Sequence, residues 1–137
     1  MDEQYKPLAG VEIMVGNLKQ FSDVNGVFMV PDAPASDNRT YVVAKKPGYF
    51  NSSQSIKTAD GNVTQFTMIM AKKEIQHSFA ASTGVNATVD NAKVVIPANS
   101  IVNEAGNSYS GTVYMASRHI NTEDPNFPSL MPGGDFA

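Results

Sequence analysis

Apolar residues along this chain recur mostly at every second position, in short bursts cut by Gly, Pro, Asn and Asp. Val11, Ile13 and Val15 alternate with Glu12 and Met14. A strand would place the three branched residues on one face, and that face should point inward. Phe28 and Val30 alternate in the same way after Gly26. Phe66, Met68 and Met70 alternate against Thr67 and Ile69, so that run is apolar on both faces, as a central or covered strand would be. No long window keeps apolar positions at three- and four-residue spacing without a Gly, Pro or Asn interruption, and helices are not expected. The pattern predicts strands over residues 11–15, 19–22, 27–30, 40–44, 54–56, 63–70, 75–79, 87–89, 93–96 and 111–117. Many short strands at close spacing argue for an all-β sandwich or barrel.

The turns carry their own chemistry. Asp23-Val24-Asn25-Gly26 has Asp first and Gly last, as a type I turn prefers, and predicts a hairpin joining Phe21 to Phe28. Lys46-Pro47-Gly48-Tyr49 puts Pro where φ is fixed and Gly where φ is positive, so the chain should reverse there and release Tyr49 at an edge. Asp60-Gly61-Asn62 reads as another short connection. Lys72-Lys73-Glu74 closes the apolar run before it and marks a boundary between residues 1–72 and 73–137. The tail from Thr122 through Gly134 is rich in Pro and Gly and is expected to lack regular structure.

Composition narrows the function classes. The chain has 137 residues, enough for one ordinary domain or two small β units. Its formal charge is −3, and Lys45–Lys46 and Lys72–Lys73 are the only adjacent basic pairs, so no nucleic-acid footprint is expected. With no Cys there is neither a disulfide framework nor a thiolate metal site, which leaves the compartment open. No apolar run has the length of about 20 residues that a membrane-spanning helix needs.

Candidate chemistry is sparse. His77 and His119 are far apart and lack His-x-x-Glu or His-x-x-x-His spacing, so they read as ordinary strand or loop residues and not as zinc ligands. The Asp23 turn resembles the start of a calcium loop but offers no carboxylate at the bidentate end; a looser calcium site could draw on Glu123, Asp124 and Asp135. No Gly-x-Ser-x-Gly elbow is present, and neither His has an orienting acid nearby in sequence. No catalytic residue, metal or cofactor is therefore expected. Asn38, Asn51, Asn62 and Asn86 each open an N-x-S/T acceptor sequence, which matters in a eukaryotic secreted protein and arises by composition in an Asn-rich bacterial one. Tyr41, Tyr49, Phe50 and Tyr114 are the candidate ligand-stacking residues, although Trp is absent and core or edge packing is the alternative.

Three motifs occur in order: Pro7-Leu8-Ala9-Gly10-Val11-Glu12-Ile13, Ser22-Asp23-Val24-Asn25-Gly26-Val27-Phe28 and Lys46-Pro47-Gly48-Tyr49. They resemble the carboxypeptidase regulatory-like (transthyretin-like) domain family over residues 5–72, with Ser22 in place of the more usual Thr and a longer stretch over residues 31–39. From Ile75 the chain resembles, more loosely, the β modules that follow such domains in bacterial surface proteins and in cartilage intermediate layer protein. That match rests on Val94-Val95-Ile96-Pro97-Ala98-Asn99-Ser100-Ile101, Tyr109-Ser110-Gly111-Thr112-Val113 and Met131-Pro132-Gly133. The resemblance implies a Greek-key β-sandwich over residues 1–72 and a second, incomplete β module over 73–137 with unpaired, less well packed edges. It further implies a non-catalytic spacer or docking module of a secreted or cell-surface protein, of the bacterial envelope if bacterial, whose signal or anchor lies outside this sequence. Its partners would be other domains of the parent protein or neighbouring envelope proteins, with glycan or peptide binding as the alternative. Self-association through an open sheet edge is a further expectation.

Overall fold

The computed structural model describes residues 1–59, 61–89 and 92–131. The fold is all-β apart from one helical turn: β1 (Glu12–Val15), β2 (Leu18–Phe21), β3 (Arg39–Lys45), β4 (Ser52–Lys57), β5 (His77–Ala80), β6 (Val85–Val89), β7 (Ala92–Ile96), β8 (Thr112–Met115) and α1 (Phe127–Leu130). Contacts divide the chain into two compact units at Lys72 and Lys73, and residues 120–131 pack with the first of them.

In the first unit the strands form one antiparallel sheet in the order β2-β1-β3-β4. Gly16 opens the β1–β2 turn with φ +56 while Asn17 stays at negative φ, the arrangement that suits the twist of a two-residue hairpin. Ile13 lies opposite Ala44 and Val15 opposite Val42, so the inward rows of β1 and β3 coincide. All four side chains are buried, with Ile13 at 1 % exposure and Ala44 at 0 %. Removing a side chain such as Ile13 from water contributes about 1.5–3 kcal/mol. The expected inward face of residues 11–15 is thus the inner face of the sheet.

Two expected strands do not form ladders. Residues 27–30 and 63–69 run without strand pairing, and Met70 makes only an isolated parallel bridge to Asp2. Their apolar residues nonetheless cover the sheet: Phe28, Val30 and Phe66 pack against the core cluster containing Met68 and Met70. Phe28 and Phe66 meet edge to face with ring centroids 5.5 Å apart. Alternation in these runs reports burial, and the ladder hydrogen bonds go elsewhere. The Met1 ammonium donates to the Met68 carbonyl at 3.0 Å, Met70 N–H donates to Met1 O at 3.0 Å, and Phe50 N–H donates to Ala71 O at 2.8 Å. The run is accordingly held from both sides, and Met68, Ile69, Met70 and Ala71 are all buried.

The Asp23 turn closes as expected, with Gly26 N–H donating to Asp23 O at 3.0 Å and Gly26 at φ +72 against the backbone of Leu8. The anticipated hairpin does not follow, because the returning limb leaves β2 to cover the core. At Lys46-Pro47-Gly48-Tyr49 the chain reverses with Tyr49 N–H donating to Lys46 O at 3.1 Å and Gly48 at φ +81. The tail, expected to be irregular, contains the helical turn α1. Pro128 sits in its first turn, where no intrahelical N–H partner is needed, and α1 packs against β4. Tyr5 Oη donates to Asn126 Oδ1 at 2.8 Å beside it.

The second unit holds two antiparallel pairs, β5 with β8 and β6 with β7. Among the described residues its buried apolar side chains are Ala81, Ala87 and Val89, against ten in the first unit. Gly84, at φ +67, lets the chain pass against the backbone of residues 96–98. The Asp60 position of one expected turn, and Pro132 and Gly133 of the second resemblance, lie outside the described residues.

Candidate functional site

Among the described residues of the first unit, an edge and a face of the sheet are exposed. The edge is β2, whose four residues are all exposed. Val15 and Leu18 flank the two-residue turn, which makes them a hydrogen-bonded pair. Alternation then turns the backbone groups of Leu18 and Gln20 toward β1 and those of Lys19 and Phe21 away from it. Among the described residues no hydrogen bond beyond the sheet engages the outward pair. The opposite edge, β4, is accompanied by α1 and by the amide of Gln54, which donates to Thr67 O at 3.1 Å.

The outer face of the sheet is built from alternate residues of the same strands. On β3 it carries Arg39, Tyr41, Val43 and Lys45, since Thr40, Val42 and Ala44 point into the core. Register places Arg39 opposite Lys57, Tyr41 opposite Ser55 and Lys45 opposite Glu12. Lys19 is paired with Glu12 at 2.6 Å and Lys45 stands opposite the same carboxylate, so on that part of the face two cations share one acid. Arg39 and Lys57 have no carboxylate partner among the described residues. The Arg39 Nη1 lies 3.5 Å from Ser55 Oγ, at the outer limit of a hydrogen bond, and leans toward the Tyr41 row. Beside these two cations opens a cleft of about 470 Å³ lined by Asp37, Asn38, Arg39, Lys57, Thr58 and Ala59. Asp37 and Asn38 hold positive φ there, and Thr58 N–H donates to Asn38 O at 2.9 Å.

The four aromatic candidates occupy different environments. Tyr41 is exposed on the outer face, Tyr49 packs against the core cluster, Phe50 is half-buried, and Tyr114 is exposed on β8 in the other unit. Of the four, Tyr41 shares the outer face of β3 and β4 with Arg39 and Lys57, a juxtaposition the sequence pattern did not reveal. His77 lies in β5 opposite Met115, and His119 is exposed outside any strand. Asp23 Oδ1 accepts the N–H groups of Asn25 at 2.9 Å and Val27 at 2.8 Å, which is turn chemistry. Asp124 Oδ1 accepts Asn126 N–H at 2.8 Å, and Asp135 lies outside the described residues. Among the described residues no group of three or more His, Asp or Glu side chains is placed to hold a metal ion. The acceptor asparagines Asn38, Asn51, Asn62 and Asn86 are all exposed. No described helix is long and apolar enough to cross a membrane.

Compared with known proteins, the chain matches no family model, no curated protein and no solved structure.

Proposed function

We propose that this chain is a non-catalytic structural and interaction module of a secreted or cell-surface protein, acting as a spacer or docking domain. The reading takes the first unit as a Greek-key, transthyretin-like sandwich in which residues 27–30 and 66–71 serve as the layer facing the four-stranded sheet. The observation that carries it is the unpaired β2 edge. Lys19 and Phe21 present backbone donors and acceptors to whatever lies alongside, and an extended segment of a partner can add there as a further strand. The interior supports a scaffold role: its buried side chains are apolar, joined by Ser22, Thr40 and Ser52.

Capture experiments on the full chain with an extended-peptide library test this reading. Phe21→Pro removes an outward N–H while leaving the β1 pairing intact, and should abolish peptide capture without lowering the unfolding midpoint. Capture that survives this change would reject the edge as the docking site. A hydrolase screen with and without divalent metal should return no turnover; turnover lost on His77→Ala or His119→Ala would reject the non-catalytic reading.

The second reading, a carbohydrate-binding module, is favoured by Tyr41, which stands 54 % exposed on the sheet face. Aromatic rings so placed can stack on a sugar while polar neighbours fix its orientation.

A further inference from the structure

We infer that the Arg39–Lys57 end of the sheet is a binding site for an anionic saccharide, one ring stacked on Tyr41 and its carboxylate or sulfate held by the two cations. The inference rests on the carbohydrate-binding reading and names the chemistry of its ligand. Like charges directly opposite each other on paired strands are destabilising. Arg39 and Lys57 are so placed with no acidic partner among the described residues, on a chain whose net charge is −3. An anion between them would relieve that repulsion, and a guanidinium can meet a carboxylate or sulfate with two parallel donors.

The geometry then selects the rest of the ligand. Tyr41 is two residues along β3 from Arg39 on the same face, a separation of about 7 Å. The Arg39 guanidinium leans toward Ser55, the cross-strand partner of Tyr41, so charge and ring act on neighbouring parts of one ligand. The adjoining cleft of about 470 Å³ is open to solvent, so it can admit a saccharide without enclosing it. A pair of cations beside one ring fits a single anionic group better than the continuous phosphate track of a nucleic acid, which draws on a longer basic stripe. Asp37 also lines the cleft and opposes an anion, so it should limit affinity.

The test is an amide chemical-shift titration of the full chain with a carboxylated uronic-acid trisaccharide, a sulfated disaccharide, a neutral glucose trisaccharide, a short single-stranded DNA and an acidic peptide. Saturable shifts at Tyr41, Ser55 and Lys57 with either anionic sugar, absent with the neutral one, support the site, and the tighter of the two identifies the acid group. Lys57→Gln and Tyr41→Ser should each weaken binding about tenfold, Lys57→Gln while holding or raising the unfolding midpoint because it removes the like-charge repulsion, Asp37→Asn should strengthen binding, and Phe21→Pro should leave it untouched. No saturable shift with either anionic sugar, equal binding of the neutral one, tighter binding of DNA or peptide, or a Lys57→Gln chain that binds as well as the parent would overturn it. Peptide capture at β2 is read separately, so this site can fail while the docking reading stands.

Discussion

Ser22 and Val11 hold each other twice: the Val11 N–H donates to Ser22 Oγ at 2.9 Å, and the Ser22 N–H donates to Val11 O at 3.0 Å. The same hydroxyl donates to Leu8 O at 2.6 Å, so one buried side chain satisfies two backbone groups where the entering chain meets β2. Ser22→Ala would leave both unpaired in a site 7 % exposed and is expected to cost about 1–3 kcal/mol in urea unfolding. Ser52 supplies the contrast. It is equally buried, yet its Oγ meets no partner among the described residues. Ser52→Ala should leave stability unchanged or raise it by up to about 1 kcal/mol.

The edge-to-face contact of Phe28 with Phe66 joins two segments that share no ladder. If side-chain packing alone binds the covering layer to itself, a double-mutant cycle on Phe28→Ala and Phe66→Ala should give a coupling of about 0.5–1.5 kcal/mol. Additive effects would mean that the two segments pack independently.

Gly84 serves the second unit through its conformation and its lack of a side chain. A methyl group there would press on the carbonyl of Ile96 and on the backbone of Pro97 and Ala98. Left-handed backbone alone costs a non-Gly residue about 1–2 kcal/mol. Gly84→Ala should therefore speed amide exchange in β6 and β7 while leaving β1 and β3 at parent rates.

Burial lowers the pKa of the Met1 ammonium from its ordinary 8.0, with Asp2 opposing the shift. In the window between the lowered value and 8.0 the unfolded chain binds the proton that the folded chain has released. Stability should rise with pH across that window and level off above it. Unfolding midpoints followed through the window should show this rise, and a chain acetylated at its N-terminus should lack it.

Much of the sheet was legible because alternation and a buried face coincide in β1 and β3. Val11, Ile13 and Val15 could only be inward together, and β3 supplies Thr40, Val42 and Ala44 to the same side. Alternation does not require pairing. Phe28, Val30, Phe66 and Met68 alternate because every second side chain reaches the core, while their backbone groups find scattered partners such as Met1 and Asp23. The helical turn at Phe127 was hidden by Pro128, which reads as a breaker unless the first turn is identified. The Arg39–Lys57 pairing was not legible either, since 18 positions separate the two residues and only the β3–β4 register brings them together.

Strand addition at β2 requires an open edge with alternating backbone direction. Residue-resolved hydrogen exchange of the free chain addresses this directly, because only amides bonded to β1 should be protected. The expected result is slow exchange at Leu18 and Gln20 and fast exchange at Lys19 and Phe21, with the latter two slowing when a captured peptide is added. Protection of Lys19 and Phe21 equal to that of Leu18 and Gln20 in the free chain would show the edge already covered and rule out docking there.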